Sequence, residues 1–161
     1  MKKFLILFMS VVLLTGCTTK NQEVEATVEP MSSLEVLSEV FKNTEVEMLP
    51  TIQLYGTDEF SLRQINYILG EENNIDLNNY VSAAMNKPMM TVDARIVFVM
   101  QLDSTDNMNQ IEDGLVSLER YFVCVSVKEY QIVSNGNYVM FVGVPEHQQL
   151  VDAFLELDLS L

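Results

Sequence analysis

Apolar residues recur along this chain with two different periods, and the switches between them mark its elements. Leu34, Leu37, Val40 and Phe41 return every three or four residues, the period of one helix face. Ser32 and Glu35 stand at capping-box spacing, where each side chain satisfies a free N–H of the first turn. After Pro50, Asp58 is placed to cap a second helix bearing Leu62, Ile65, Ile68 and Leu69, with Gly70 ending it. Glu71 to Asn79 is a polar loop, and Tyr80 to Met85 looks extended. Pro88 breaks the chain before a strand of period two. Val92, Ala94, Ile96, Phe98, Met100 and Leu102 point one way; Thr91, Asp93, Arg95 and Gln101 point the other.

A third helix is expected from the Asp103-Ser104-Thr105-Asp106 cluster, with Met108, Ile111, Leu115, Leu118 and Phe122 as its apolar stripe. Val125 to Ser134 and Asn137 to Val144 read as a hairpin turning at Asn135-Gly136, a dipeptide suited to positive φ. That pairing puts Tyr130, Ile132, Val139 and Phe141 on one face. Pro145 and Glu146 open a last helix with Leu150, Val151, Phe154 and Leu155 inward. The order predicts an α+β fold: a mainly antiparallel sheet of about four strands, with helices packed on one face. No internal repeat is visible.

The N-terminal end follows other rules. Met1-Lys2-Lys3 precedes an apolar stretch, Phe4 to Leu14, broken only by Ser10. This is the secretory pattern, too short to span a bilayer as a helix. Leu14-Thr15-Gly16-Cys17 then has the form of a lipobox: small residues before the cut, and a cysteine whose sulfur takes a diacylglyceryl group. The predicted organisation is a signal peptide over 1–16, a lipidated Cys17 with a disordered acidic tether over 17–30, and one domain over 31–161. Extended, the thirteen residues Thr18 to Pro30 reach about 40–45 Å. The expected address is the extracytoplasmic face of a bacterial cell membrane, where two or more acyl chains anchor stably.

Cleavage leaves seven Lys and Arg against twenty-three Asp and Glu, a formal charge of −16. Such a surface repels nucleic acid and anionic headgroups, so no nucleic-acid partner is expected. Most of the acidity serves solubility. With Cys17 lipidated, Cys124 has no partner for an intramolecular disulfide; in Tyr121-Phe122-Val123-Cys124-Val125 it reads as a small buried hydrophobe.

Candidate chemistry is sparse. Asp103, Asp106, Asn109, Glu112 and Asp113 suggest calcium, but the cluster lacks the glycine of a binding loop, and carboxylates at a helix start are explained by capping and the dipole. Glu71-Glu72-Asn73-Asn74-Ile75-Asp76 reads as a solvated loop. His147 is the only histidine, which argues against a zinc site. Met85, Met89, Met90 and Met100 suggest a copper(I) thioether site, against which core filling is favoured. No phosphate loop, Gly-x-Ser-x-Gly elbow or paired-carboxylate motif occurs. The expectation is therefore no catalytic residue, no metal and no cofactor.

The lipobox, Gly70, Asp76, Tyr80-Val81, Pro88-Met89-Met90, a helix ending near Arg120-Tyr121, and Gly136-Asn137-Tyr138-Val139 together carry a resemblance. Over most of 34–145 the chain resembles Gram-positive lipoproteins with the domain of unknown function numbered four-three-five-eight. Arg95 stands where that family usually carries an acidic residue. The resemblance implies the membrane address and a single domain, and transfers no catalytic or binding residue. A non-enzymatic module binding a protein, peptide or envelope component is the leading expectation. The alternative is a lipoprotein binding a ligand or divalent cation through its acidic loops.

Overall fold

The computed structural model describes residues 30–90, 92–122 and 124–159. The predicted signal peptide, the cleavage residues Leu14, Thr15 and Gly16, Cys17 and the tether to residue 29 lie outside the described residues.

Local chemistry sets the helix starts as expected. Ser32 caps α1 (Ser33–Lys42): its Oγ accepts from the Glu35 N–H at 3.3 Å, and Glu35 accepts from the Ser32 N–H at 2.7 Å. That Ser32 N–H, with the Ser32 hydroxyl, holds the Glu35 carboxyl below the usual carboxylate range. Asp58 caps α2 (Glu59–Ile68), accepting from the N–H groups of Phe60 and Ser61 at 3.1 Å each. Gly70 follows at φ +79°, a conformation open to glycine at little cost.

Among the described residues, five strands form one antiparallel sheet: β1 (Thr51–Tyr55), β2 (Tyr80–Lys87), β3 (Ile96–Leu102), β4 (Gln131–Asn135) and β5 (Tyr138–Gly143). Their spatial order is β1-β2-β3-β5-β4. The α+β expectation holds, with five strands in place of about four. The added strand, β1, is a five-residue segment between Pro50 and Gly56 whose only alternating apolar residues, Ile52 and Leu54, face solvent.

Helices cover both faces of the sheet, and the one-face expectation is corrected. α1 and α4 (His147–Glu156) bring Val36, Leu37, Val40, Leu150 and Phe154 onto Ala84, Val97, Val99, Met140 and Val142. α2 and α3 (Met108–Leu115), with the 3₁₀ turn Val116–Arg120, bring Ile65, Leu69, Ile111, Leu115 and Leu118 onto Met85, Phe98, Met100, Val139 and Phe141. The physical reason lies in the central strands: β3 and β5 are buried at every residue, as strands covered on both sides must be. Ile96, Phe98, Met100 and Leu102 do share a face, but Val97 and Val99 make the opposite face equally apolar.

Several boundaries also move. β3 starts only at Ile96, because Arg95 folds back onto Asp93 (Nη2 to Oδ2, 2.6 Å) and closes a turn; Val92 is exposed. Asn135 pairs with Tyr138, so the hairpin loop is Gly136-Asn137, and of these only Gly136 (φ +56°) is positive. The Asn135 amide explains the shift: it donates to the carbonyls of Phe154 and Leu157, 2.9 Å each, tying the strand end to the end of α4. Ile132 and Phe141 are opposite each other, and Tyr130 stacks on Phe141 at 4.9 Å. Leu155 points outward, with Ala153 buried instead.

The connectivity contains a symmetry that no repeat in the residues announces. α2-β2-β3 and α3-β4-β5 are each a helix followed by a hairpin, and their second strands, β3 and β5, meet antiparallel at the sheet centre. A polar chain crosses one end of this sheet. Ser33 Oγ bonds the Ser82 carbonyl (2.9 Å) and lies 2.7 Å from the Ser82 hydroxyl. Ser82 bonds Gln101 (3.0 Å), Gln101 donates to the Tyr138 hydroxyl (3.0 Å), and Tyr138 donates to the Met31 carbonyl.

Candidate functional site: a groove lined by tyrosines

Two adjoining hollows open beside α2, sharing Tyr67 and Tyr121. One, about 290 Å³, is lined by Gln64, Tyr67, Lys87, Pro88, Met89, Tyr121 and Phe122. The other, about 470 Å³, adds Gly70, Ser117 and Arg120 and an acidic rim of Glu71, Glu72, Asp113 and Glu119. Both follow from local structure. Tyr67 lies between Ile65 and Ile68 but off the buried stripe of α2, leaving it 56% exposed. The tighter 3₁₀ turn after Leu115 carries Tyr121 to the end of β2, where Lys87 Nζ lies 3.0 Å from its hydroxyl and 5.2 Å from its ring centroid. Phe122 meets Tyr121 edge to face at 5.2 Å.

Behind this wall the tyrosines are desolvated. Tyr55 places its hydroxyl 3.7 Å from Met85 Sδ, and Tyr80 donates to the Tyr55 carbonyl at 2.7 Å. Burial raises the Tyr55 phenol well above its ordinary value, reinforced by Tyr121; burial likewise raises Tyr80, reinforced by the Asp58 charge. Both remain neutral donors across the physiological range. Among the residues lining the groove, the Lys87 ammonium is turned onto Tyr121, and four carboxylates stand with the single guanidinium of Arg120.

The residues singled out in the sequence lie elsewhere. The acids expected to cap α3 do not: its N-cap is Asn107, without a side-chain cap bond. Asn107 Nδ2 donates to the Asp76 carbonyl and its Oδ1 accepts from Asn79 Nδ2, both at 2.5 Å. Asn79 also donates to the Ser104 carbonyl at 3.0 Å, so these polar residues clamp two loops together. Among the described residues, no group of three or more His, Cys, Asp or Glu is placed to hold a metal ion. His147 Nδ1 lies 3.2 Å from the Val144 carbonyl. Met85 and Met100 are core residues, but Met89 and Met90 are exposed, against the core-filling expectation.

Cys124 is corrected as well. It is exposed, beside a hollow of about 640 Å³ that includes Ala94, Arg95, Lys128 and Val144. The apolar run that suggested burial is not part of a strand, since β4 begins only at Gln131.

No family model, curated protein or solved structure matches the chain. Among the described residues, no helix is long and apolar enough to cross a membrane. Tyr67 and Lys87 were not singled out in the sequence, and Tyr121 was named only beside Cys124 and in the resemblance, not as a site residue. The available signal was Tyr67, a large aromatic on the polar side of an amphipathic helix.

Proposed function

We propose that the chain is a non-enzymatic binding module, exported and held on the extracytoplasmic face of a bacterial membrane through a lipid on Cys17. Its groove receives a cationic segment of a partner protein or peptide. The observation that carries this reading is the pairing of an exposed Tyr67 with a rim of Glu71, Glu72, Asp113 and Glu119 in one open groove. Aromatic faces attract Lys and Arg, and surrounding carboxylates add long-range attraction. The lipobox and the acidic segment that follows it support the address.

The test is crosslinking in the native membrane, recovery of the protein and mass spectrometry, with Cys17→Ala as the unanchored control. One abundant partner, lost in Cys17→Ala and reduced in Tyr67→Ala, is expected. Recovery of background alone, together with a measurable turnover, would sink the proposal. A rise in melting temperature with millimolar Ca²⁺ and no protein partner would move the assignment to cation binding.

A further inference from the structure

The two edges of the sheet are built differently. β4 is packed by α4 and fastened at its end through Asn135. Among the described residues β1 pairs only with β2, through five residues in continuous register with no bulge, and meets α2. Its sequence, Thr51-Ile52-Gln53-Leu54-Tyr55, holds no charge, proline or glycine. Exposed edges normally carry such features because they prevent pairing with another strand. Ile52 and Leu54 stand 42% and 58% exposed on the face opposite Tyr55. The strand is also tied at both ends before anything docks. The Asn86 amide bonds the Thr51 carbonyl at 3.1 Å, and Tyr80 bonds the Tyr55 carbonyl at 2.7 Å.

Charge identifies the occupant. Glu45 and Glu47 precede β1, Asp58 and Glu59 follow it, and all four are exposed. The Glu59 carboxylate has Arg63 at 3.9 Å. A second copy pairing antiparallel would set Glu45 and Glu47 of one chain beside Asp58 and Glu59 of the other, at both ends. Parallel pairing also brings acid to acid. A strand bearing Lys or Arg at its ends removes this repulsion and gains attraction at both flanks.

We propose that β1 takes, by strand addition, an extended segment of a partner protein with alternating apolar residues and basic residues at both ends. Main-chain hydrogen bonds to the open edge supply affinity, and contact with Ile52 and Leu54 supplies register. This surface is distinct from the groove at Tyr67, so either can fail without the other.

The experiment uses the full chain and a synthetic peptide, Lys-Lys-Val-Thr-Val-Thr-Val-Lys-Lys, with two controls: Glu replacing every Lys, and alternate amides N-methylated. Calorimetry gives affinity, and amide hydrogen exchange gives the place. The Lys peptide is expected to bind, to slow exchange across 51–55, and to weaken with salt. N-methylation abolishes binding. Leu54→Lys and Ile52→Thr, both at exposed positions, each weaken it by about tenfold. Absence of binding, equal binding of the Glu peptide, or unchanged exchange at β1 would overturn the proposal. Slowed exchange around Tyr67 and Tyr121 instead would place the peptide in the groove, supporting the proposed function while overturning the edge assignment. Self-association abolished by Leu54→Lys would make the occupant a second copy and overturn it too.

Discussion

Asn86 offers the sharpest test of how β1 is held. It sits in β2, fully buried, and its side chain acts as a short length of strand. Its Oδ1 accepts from the Leu49 N–H at 2.8 Å, while Nδ2 donates to the carbonyls of Leu49 at 2.8 Å and Thr51 at 3.1 Å. Asn86→Leu keeps similar bulk and removes all three bonds. Each neutral bond contributes about 1 kcal/mol net, and stranding the buried Leu49 amide and carbonyl costs a further 1–3 kcal/mol or so. The expected loss is about 4–6 kcal/mol, a large part of the roughly 5–15 kcal/mol that holds a domain together. Urea unfolding followed by circular dichroism measures it, as a lower midpoint at unchanged slope. Hydrogen exchange adds the location: amides from Leu49 to Tyr55 should open first. A loss below about 1 kcal/mol at unchanged slope would refute the assignment, because net hydrogen-bond energies could not then be so small together.

Three further outcomes follow from the geometry. Gly136→Ala should destabilise by more than about 1 kcal/mol in urea unfolding, because φ is +56° and the added Cβ would lie 2.6 Å from the Leu159 carbonyl oxygen. Tyr55, Tyr80 and Tyr138 are raised chiefly by burial, so a spectrophotometric titration of the folded protein should show three phenols ionising only above the ordinary tyrosine range. The sign is set by linkage: their contribution to stability is complete below the ordinary tyrosine range near pH 10 and is lost as pH rises beyond it. Exposed Cys124 should react fully with a maleimide in the native protein, whereas protection until urea is added would contradict its position.

Legibility in the sequence followed the range of the interactions. The starts of α1 and α2 were readable because a cap is settled within four residues, as Ser32–Glu35 and Asp58–Ser61 show. The shared face of Tyr130, Ile132, Val139 and Phe141 was readable although the turn moved, because a two-residue change of register keeps every side chain on its face. What failed depended on distant partners. β1 exists because β2 lies beside it, and the second helical layer exists because Val97, Val99, Met140 and Val142 need cover. The Asn107 cap position was hidden because its side chain answers to Asp76 and Asn79, about thirty residues away. The groove joins Tyr67, Lys87 and Tyr121 from three elements, and no spacing within one element announces such a meeting.

The polar chain beginning at Ser33 has a mechanical consequence. Tension arriving along the chain from its N-terminal side meets the fold at Met31, held by Tyr138, and at Ser33, held by Ser82. Those holds belong to β5 and β2, the neighbours of β3 on either side, so the load enters through the middle of the sheet and is divided between two strands. Were the force to break through, α1 would peel away first and uncover Ala84, Val97, Val99 and Met140. A pull from that side would therefore be taken up by central strands, and the edge at β1 lies outside its line.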